Sequence, residues 1–122
     1  MTLATILIII GRFLLGGYFL QAGIRNFMKM PLHTSILEKK GIPMPRESLI
    51  VALAVQVLGG AMVAFGVFPA IGAIGLILFT IVANYLYHNF TLYQGDERQS
   101  HLGSVLTNLG MIGGLLLVAA GI

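Results

Sequence analysis

Apolar residues fall into four long runs separated by three short breaks. The first run covers about 3–27, enough helix to cross about 30 Å of hydrocarbon at 1.5 Å per residue. The second covers about 48–68, with Pro69 expected to end it, the third about 70–88, and the fourth about 102–122. The first break, Met28 to Glu47, has Pro31 suited to an opening helical turn and Gly41 suited to a stop. That pairing predicts a short interfacial helix, followed by an extended connector through Ile42-Pro43-Met44-Pro45. The second break, Gly66 to Ala70, reads as a tight uncharged turn. The third, Asn89 to His101, reads as a polar loop with Gly95 marking a turn. The pattern predicts an all-α integral membrane four-helix bundle with a short interfacial helix in its first loop, the 122 residues making a single transmembrane domain.

Composition narrows the function classes. Hydrophobic residues make up 57% of the chain and charged residues 9%, against about 25% charged in a typical soluble domain. A soluble enzyme and a Rossmann or P-loop scaffold are therefore excluded. The absence of cysteine removes disulfides and thiol redox chemistry. Seven basic residues against four acidic ones are too few and too scattered for nucleic acid. They report topology instead. Lys29, Lys39, Lys40, Arg46 and Arg98 lie in the first and third breaks. The positive-inside rule then places loops one and three in the cytoplasm and both termini outside, in a multi-pass protein of the cell inner membrane. No cleaved signal peptide is expected, because no basic residue precedes the first run and Arg12 interrupts it.

Sixteen glycines, mostly inside the runs, predict close helix packing. At 100° per residue, Gly103, Thr107, Gly110 and Gly114 form a stripe on the fourth span. Ala52, Gln56, Gly60 and Val63 form one on the second, where Gly60 and Ala64 make a small-xxx-small pair.

Polar side chains inside apolar spans are expensive and each needs a reason. Arg12 shares a face with Gly16, Phe19, Gly23 and Asn26, and its side chain leans toward the N-terminus. It is expected either to pair with carbonyls at the loop-two helix end or with the C-terminal carboxylate, or to face a ligand headgroup or anionic solute. Gln21, Gln56, Asn84 and Asn108 fall within roughly 6 to 11 Å of the loop-one and loop-three surface. They form either an interhelical hydrogen-bond layer or a polar pocket ringed by Tyr85, Tyr87, Phe90 and Tyr93. Haem is not expected, since only His88 approaches membrane depth while His33 and His101 belong to loops. A metal site is not expected either, for want of ligand spacing. A quinone headgroup suits the pocket better: Gln56, Asn84, His88 and the tyrosines offer hydrogen bonds, apolar walls and access from lipid. The candidate ligand-binding residues are Arg12, Gln56, Asn84, Tyr87, His88 and Asn108.

Several short motifs occur in a telling order. They are Gly11-Arg12, Gln21-Ala22-Gly23, Lys40-Gly41-Ile42-Pro43, Leu58-Gly59-Gly60, Gly66-Val67-Phe68, Tyr87-His88-Asn89-Phe90, Asn108-Leu109 and Gly113-Gly114. In this order and spacing the chain resembles the DoxX family of small four-span membrane proteins over nearly its whole length. The chain departs from the family pattern at Gln56, where a glutamate is common, at Asn26 beside Arg25, where a lysine often stands, and at Thr107, where a lysine commonly precedes the asparagine. Arg12, His88 and Asn108 match best. The resemblance implies a membrane subunit associated with quinone-linked sulfur oxidation or oxidative-stress complexes, with no independent catalytic motif. The expected partners are the lipid bilayer, other membrane or peripheral redox subunits, and a second copy of the chain. The alternatives are a non-catalytic scaffold or assembly subunit, and an oligomeric small-solute carrier with Arg12 on an anion path.

Overall fold

The computed structural model describes residues 1–122, and all of its regular elements are helical. Its elements are α1 (Leu3–Met28), α2 (Met30–Lys39), α3 (Pro45–Phe65), α4 (Pro69–Tyr87), a single 3₁₀ turn (Phe90–Leu92) and α5 (Gly95–Ala119). Four helical segments, at 3–28, 45–65, 69–92 and 95–119, are long and apolar enough to cross a membrane.

Each boundary has a local cause. Thr2 caps α1, its hydroxyl accepting the Thr5 N–H at 3.1 Å. The short helix expected in loop one is α2. It ends where Gly41 takes φ +77, with Gly41 N–H donating to the Glu38 carbonyl and Ile42 N–H to that of Leu37. This Schellman arrangement turns Ile42 back onto the cluster that contains Leu37. Gly66 ends α3 in the same left-handed conformation, φ +70.

The bounds of α3, α4 and α5 differ from the sequence reading. α3 begins at Pro45 instead of 48 and ends at Phe65 instead of 68. Pro45 and Pro69 each stand at the first position of a helix, where the missing N–H costs nothing, so Pro69 opens α4 and does not merely stop α3. α5 starts at Gly95, about two turns before the apolar run, and ends at Ala119. Asp96 and Glu97 occupy its first turn, where negative charge complements the helix dipole. Polar composition alone had made this stretch look like loop.

The four long helices form a bundle in which α1 packs on α3, α3 on α4, and α4 on α5, with a smaller contact between α1 and α5. The closest approach is between α1 and α3. A Cβ on Gly60 would lie 2.7 Å from the Leu20 backbone N and 2.9 Å from the Gly16 carbonyl O, and one on Gly16 would run into the Ala64 backbone. The Gly60/Ala64 pair therefore does what its spacing predicts. Gly59 and Gly72 bring α3 against α4 in the same way: a Cβ on Gly72 would lie 2.9 Å from the Gly59 O. The stripe on α5 behaves differently. Gly103 and Gly110 have nothing within 4 Å, and only Gly114 has a neighbour, Leu15 Cδ2 at 3.5 Å. Periodicity placed these glycines on one face without indicating that α1 reaches it only at Gly114 and leaves Gly103 and Gly110 uncovered.

Two hydrophobic clusters result. One joins Phe19, Val63, Ala73, Leu76, Leu115 and Val118 in the loop-two half of the bundle. The other joins Leu37, Leu49 and Leu53 under α2, with Met30, Ile42 and Leu86 packed against it. The space between them is the candidate site.

Candidate functional site

A cavity of about 700 Å³ opens between α1, α3 and α4, with α2 over its loop-one end; 24 residues line it, 16 of them hydrophobic. Val51 and Val55 of α3 and Leu78 and Val82 of α4 line it on one side, and all four are exposed on the bundle surface. The cavity thus opens sideways, between α3 and α4, onto the surface that faces lipid. Its opposite wall is polar.

That wall begins at Gly23. A Cβ there would lie 2.7 Å from Val57 Cγ2 and 3.2 Å from Gln56 Cγ, so glycine makes room for Gln56 to lie against α1. Gln56 is 4% exposed, and its Oε1 accepts from Asn26 Nδ2 at 3.2 Å. The amide N of Gln56 is then left to the cavity that the residue lines. Thr80 also lines it, but its hydroxyl donates to the Leu76 carbonyl at 2.7 Å, one turn back on the same helix, and has no second proton for the cavity. Asn108 Nδ2 donates to Asn84 Oδ1 at 2.6 Å and ties α5 to α4. Asn108 lines the cavity and Asn84 supports it from behind.

At the mouth toward loop one, Tyr87 OH and His33 Nδ1 lie 3.1 Å apart, their rings edge-on at 74°. This contact fastens α2 onto the end of α4. Burial, with the positive charge of Lys29 adding to it, pushes the His33 pKa below 6.5. Beside it, His88 and His101 bring their Nδ1 atoms to 3.2 Å. Tyr93 stacks on His101 at 4.0 Å, and Arg98 lies over Phe90 at 5.6 Å. Placing His101 in a loop concealed this pairing, because His101 stands on α5. No cluster of three or more His, Cys, Asp or Glu side chains forms a metal-binding group.

Of the six candidate residues, Gln56, Tyr87, His88 and Asn108 line the cavity, and Asn84 bonds to one of them. Arg12 is not among the lining residues. It makes no ion pair and no hydrogen bond with the loop-two carbonyls or the C-terminus, and its Nε is buried without a partner. Gln21 leaves the expected layer too: it is exposed, and its Nε2 bonds to the Tyr18 carbonyl at 3.1 Å. Of the expected aromatic ring only Tyr87 lines the cavity; Tyr85 is 72% exposed. Asn26 and His33 were missed as site residues. Asn26 had a signal, since it lies on the same face of the first span as Gly23. His33 had none, because its position depends on how α2 folds back.

Two side chains in the lining keep a hydrogen-bond donor for the cavity. The Gln56 amide is free to donate, and His88 can donate from the ring nitrogen not facing His101.

Four apolar helices around a laterally open cavity define a small multi-pass helical membrane protein. Within that class the chain belongs to the DoxX family, whose model matches residues 7–89, well over half of its length and all of α3 and α4. No curated protein sequence and no solved structure matches the chain. The family match ends before α5, so Asn108 lies beyond it.

Proposed function

We propose that the cavity receives a quinone headgroup from the bilayer and that the protein serves as a quinone-interacting membrane subunit of a redox assembly. The observation that carries this reading is the shape of the cavity: a polar wall at Gln56, Asn108, Tyr87 and His88, and an apolar opening between α3 and α4. A lipid-dissolved molecule with a polar head and an apolar tail can enter there without leaving the membrane. When bound, a quinone supplies two-electron carrier chemistry; this chain's residues hold and orient the head. In the proposed orientation loops one and three face the cytoplasm of a plasma-membrane protein, where Lys39, Lys40 and Arg46 are available to a peripheral redox partner.

Protein purified in mild detergent from quinone-containing membranes is expected to retain quinone. Gln56→Leu and His88→Ala are each expected to lower retention about tenfold, the loss of roughly one hydrogen bond to a buried acceptor. If no quinone is retained by wild-type protein, and none binds when a short-tailed quinone is added, the reading fails.

One observation favours a second reading, a non-catalytic assembly subunit. Gly103, Gly110 and Gly113 leave a face of α5 open to another helix. Co-purification of a stoichiometric membrane partner with an empty cavity is the result that would select it.

A further inference from the structure

The loop-two end of the bundle carries one charged side chain, Arg12. Its level follows from the packing. Gly16 lies against Gly60 and Ala64, and the rings of Phe13 and Phe65 meet at 6.4 Å. Arg12, one turn nearer the N-terminus than Gly16, therefore stands level with the end of α3 and the turn at Gly66. All four acidic side chains, Glu38, Glu47, Asp96 and Glu97, lie on α2 or at the starts of α3 and α5, at the other end of the molecule. Arg12 consequently has no ion pair, and its Nε is buried with no hydrogen-bond partner.

A guanidinium keeps its charge in proteins and is costly in hydrocarbon unless an anion meets it. This chain places no acidic side chain at that end, its C-terminal carboxylate makes no ion pair with Arg12, and a second copy in the same orientation has no acidic side chain there either. We infer that Arg12 is a binding site for a phosphate group, carried by a phospholipid at the loop-two end of the bundle. The guanidinium fork matches two phosphate oxygens, and the side chain leans toward the N-terminus and so toward the headgroups. The surface around it suits acyl chains: Phe13, Phe65, Val67 and Phe68 are all exposed. A soluble phosphate shares the chemistry but gains nothing from these apolar neighbours. This inference is independent of the cavity, which Arg12 does not line.

Solid-state NMR tests the contact directly. Arg25, Arg46 and Arg98 are the other arginines, and replacing all three with lysine leaves Arg12 as the single guanidinium signal. In phosphatidylglycerol–phosphatidylcholine vesicles its Cζ is expected to be dephased by ³¹P at about 4 Å, the separation that direct N–H···O contacts impose. In galactolipid vesicles free of phosphorus no dephasing is expected, and millimolar inorganic phosphate is not expected to restore it. Dephasing by inorganic phosphate as strong as that by phospholipid overturns the lipid assignment. An intact Arg12 signal without dephasing in phospholipid overturns the inference altogether. Arg12→Gln is expected to weaken phospholipid retention in native mass spectra about tenfold, with Arg12→Lys restoring part of it. Should Arg12→Gln fail to fold, the NMR contact decides without it.

Discussion

Asn108 donates to Asn84 across 2.6 Å, from α5 to α4, beneath the wall of the cavity. It is the one side-chain hydrogen bond that joins these two long helices within their apolar parts. It also sets where Asn108 sits in the lining. In lipid such a bond replaces a pair of polar groups that would otherwise lack water, so its value is expected to be modest but real. Replacing either residue with leucine, alone and together, is expected to give a coupling of about 0.6 kcal/mol and no more than about 1.7. Unfolding of the reconstituted protein measures it; strict additivity of the two substitutions would show that the bond contributes nothing.

The glycines divide into two classes that mutation should separate. Gly60→Ala drives a methyl against the backbone of α1, and no flexible side chain is there to yield. It is expected to cost about 1 to 3 kcal/mol. Gly110→Ala meets open space and is expected to be neutral or stabilising by up to about 1 kcal/mol. Equal effects of the two changes on stability in lipid would contradict the packing described for α1 and α3.

His33 makes the docking of α2 depend on pH. Its pKa is lowered from 6.5 by burial, reinforced by Lys29, so undocked α2 takes up a proton more readily than docked α2. Docking is then at full strength above the undocked value of 6.5, weakens as the pH falls below it, and levels off beneath the depressed docked value. A spin label at Glu38, on the exposed side of α2, is expected to gain mobility over that range in wild-type protein. With His33→Gln the pH dependence should vanish; its persistence would assign the effect to another group.

Met44 enters α3 with φ +49, ahead of Pro45, a left-handed conformation that costs a side-chain-bearing residue about 1 to 2 kcal/mol. The side chain is 67% exposed and loses little if removed. Met44→Gly is accordingly expected to raise stability by about 1 kcal/mol, read as a higher midpoint in chemical unfolding. An unchanged or lower midpoint would mean that the greater freedom of glycine in the unfolded chain offsets the relief.

The sequence by itself determined the number of spans, the short helix between Pro31 and Gly41, the breaks at Gly66 and Pro69, and the Gly60/Ala64 contact surface. These are local or periodic properties. A 20-residue apolar run, a proline without an N–H and a glycine at positive φ act within a few residues of where they stand. Tertiary structure decided which faces are covered and what the polar residues meet. Gly110 and Gly60 look alike in sequence, yet only Gly60 has a helix against it. Gln21 and Gln56 fall at similar depth, but one faces outward and bonds its own helix while the other lies behind Gly23 with Asn26. The fold-back of α2 brought His33 to Tyr87, and the early start of α5 brought His101 to His88. Arg12 and the cavity ended up apart because α1 crosses the whole bundle and carries them at different levels. A pattern along one helix gives the angle of each side chain about that helix's axis; the neighbour at that angle belongs to another part of the chain, and packing alone selects it.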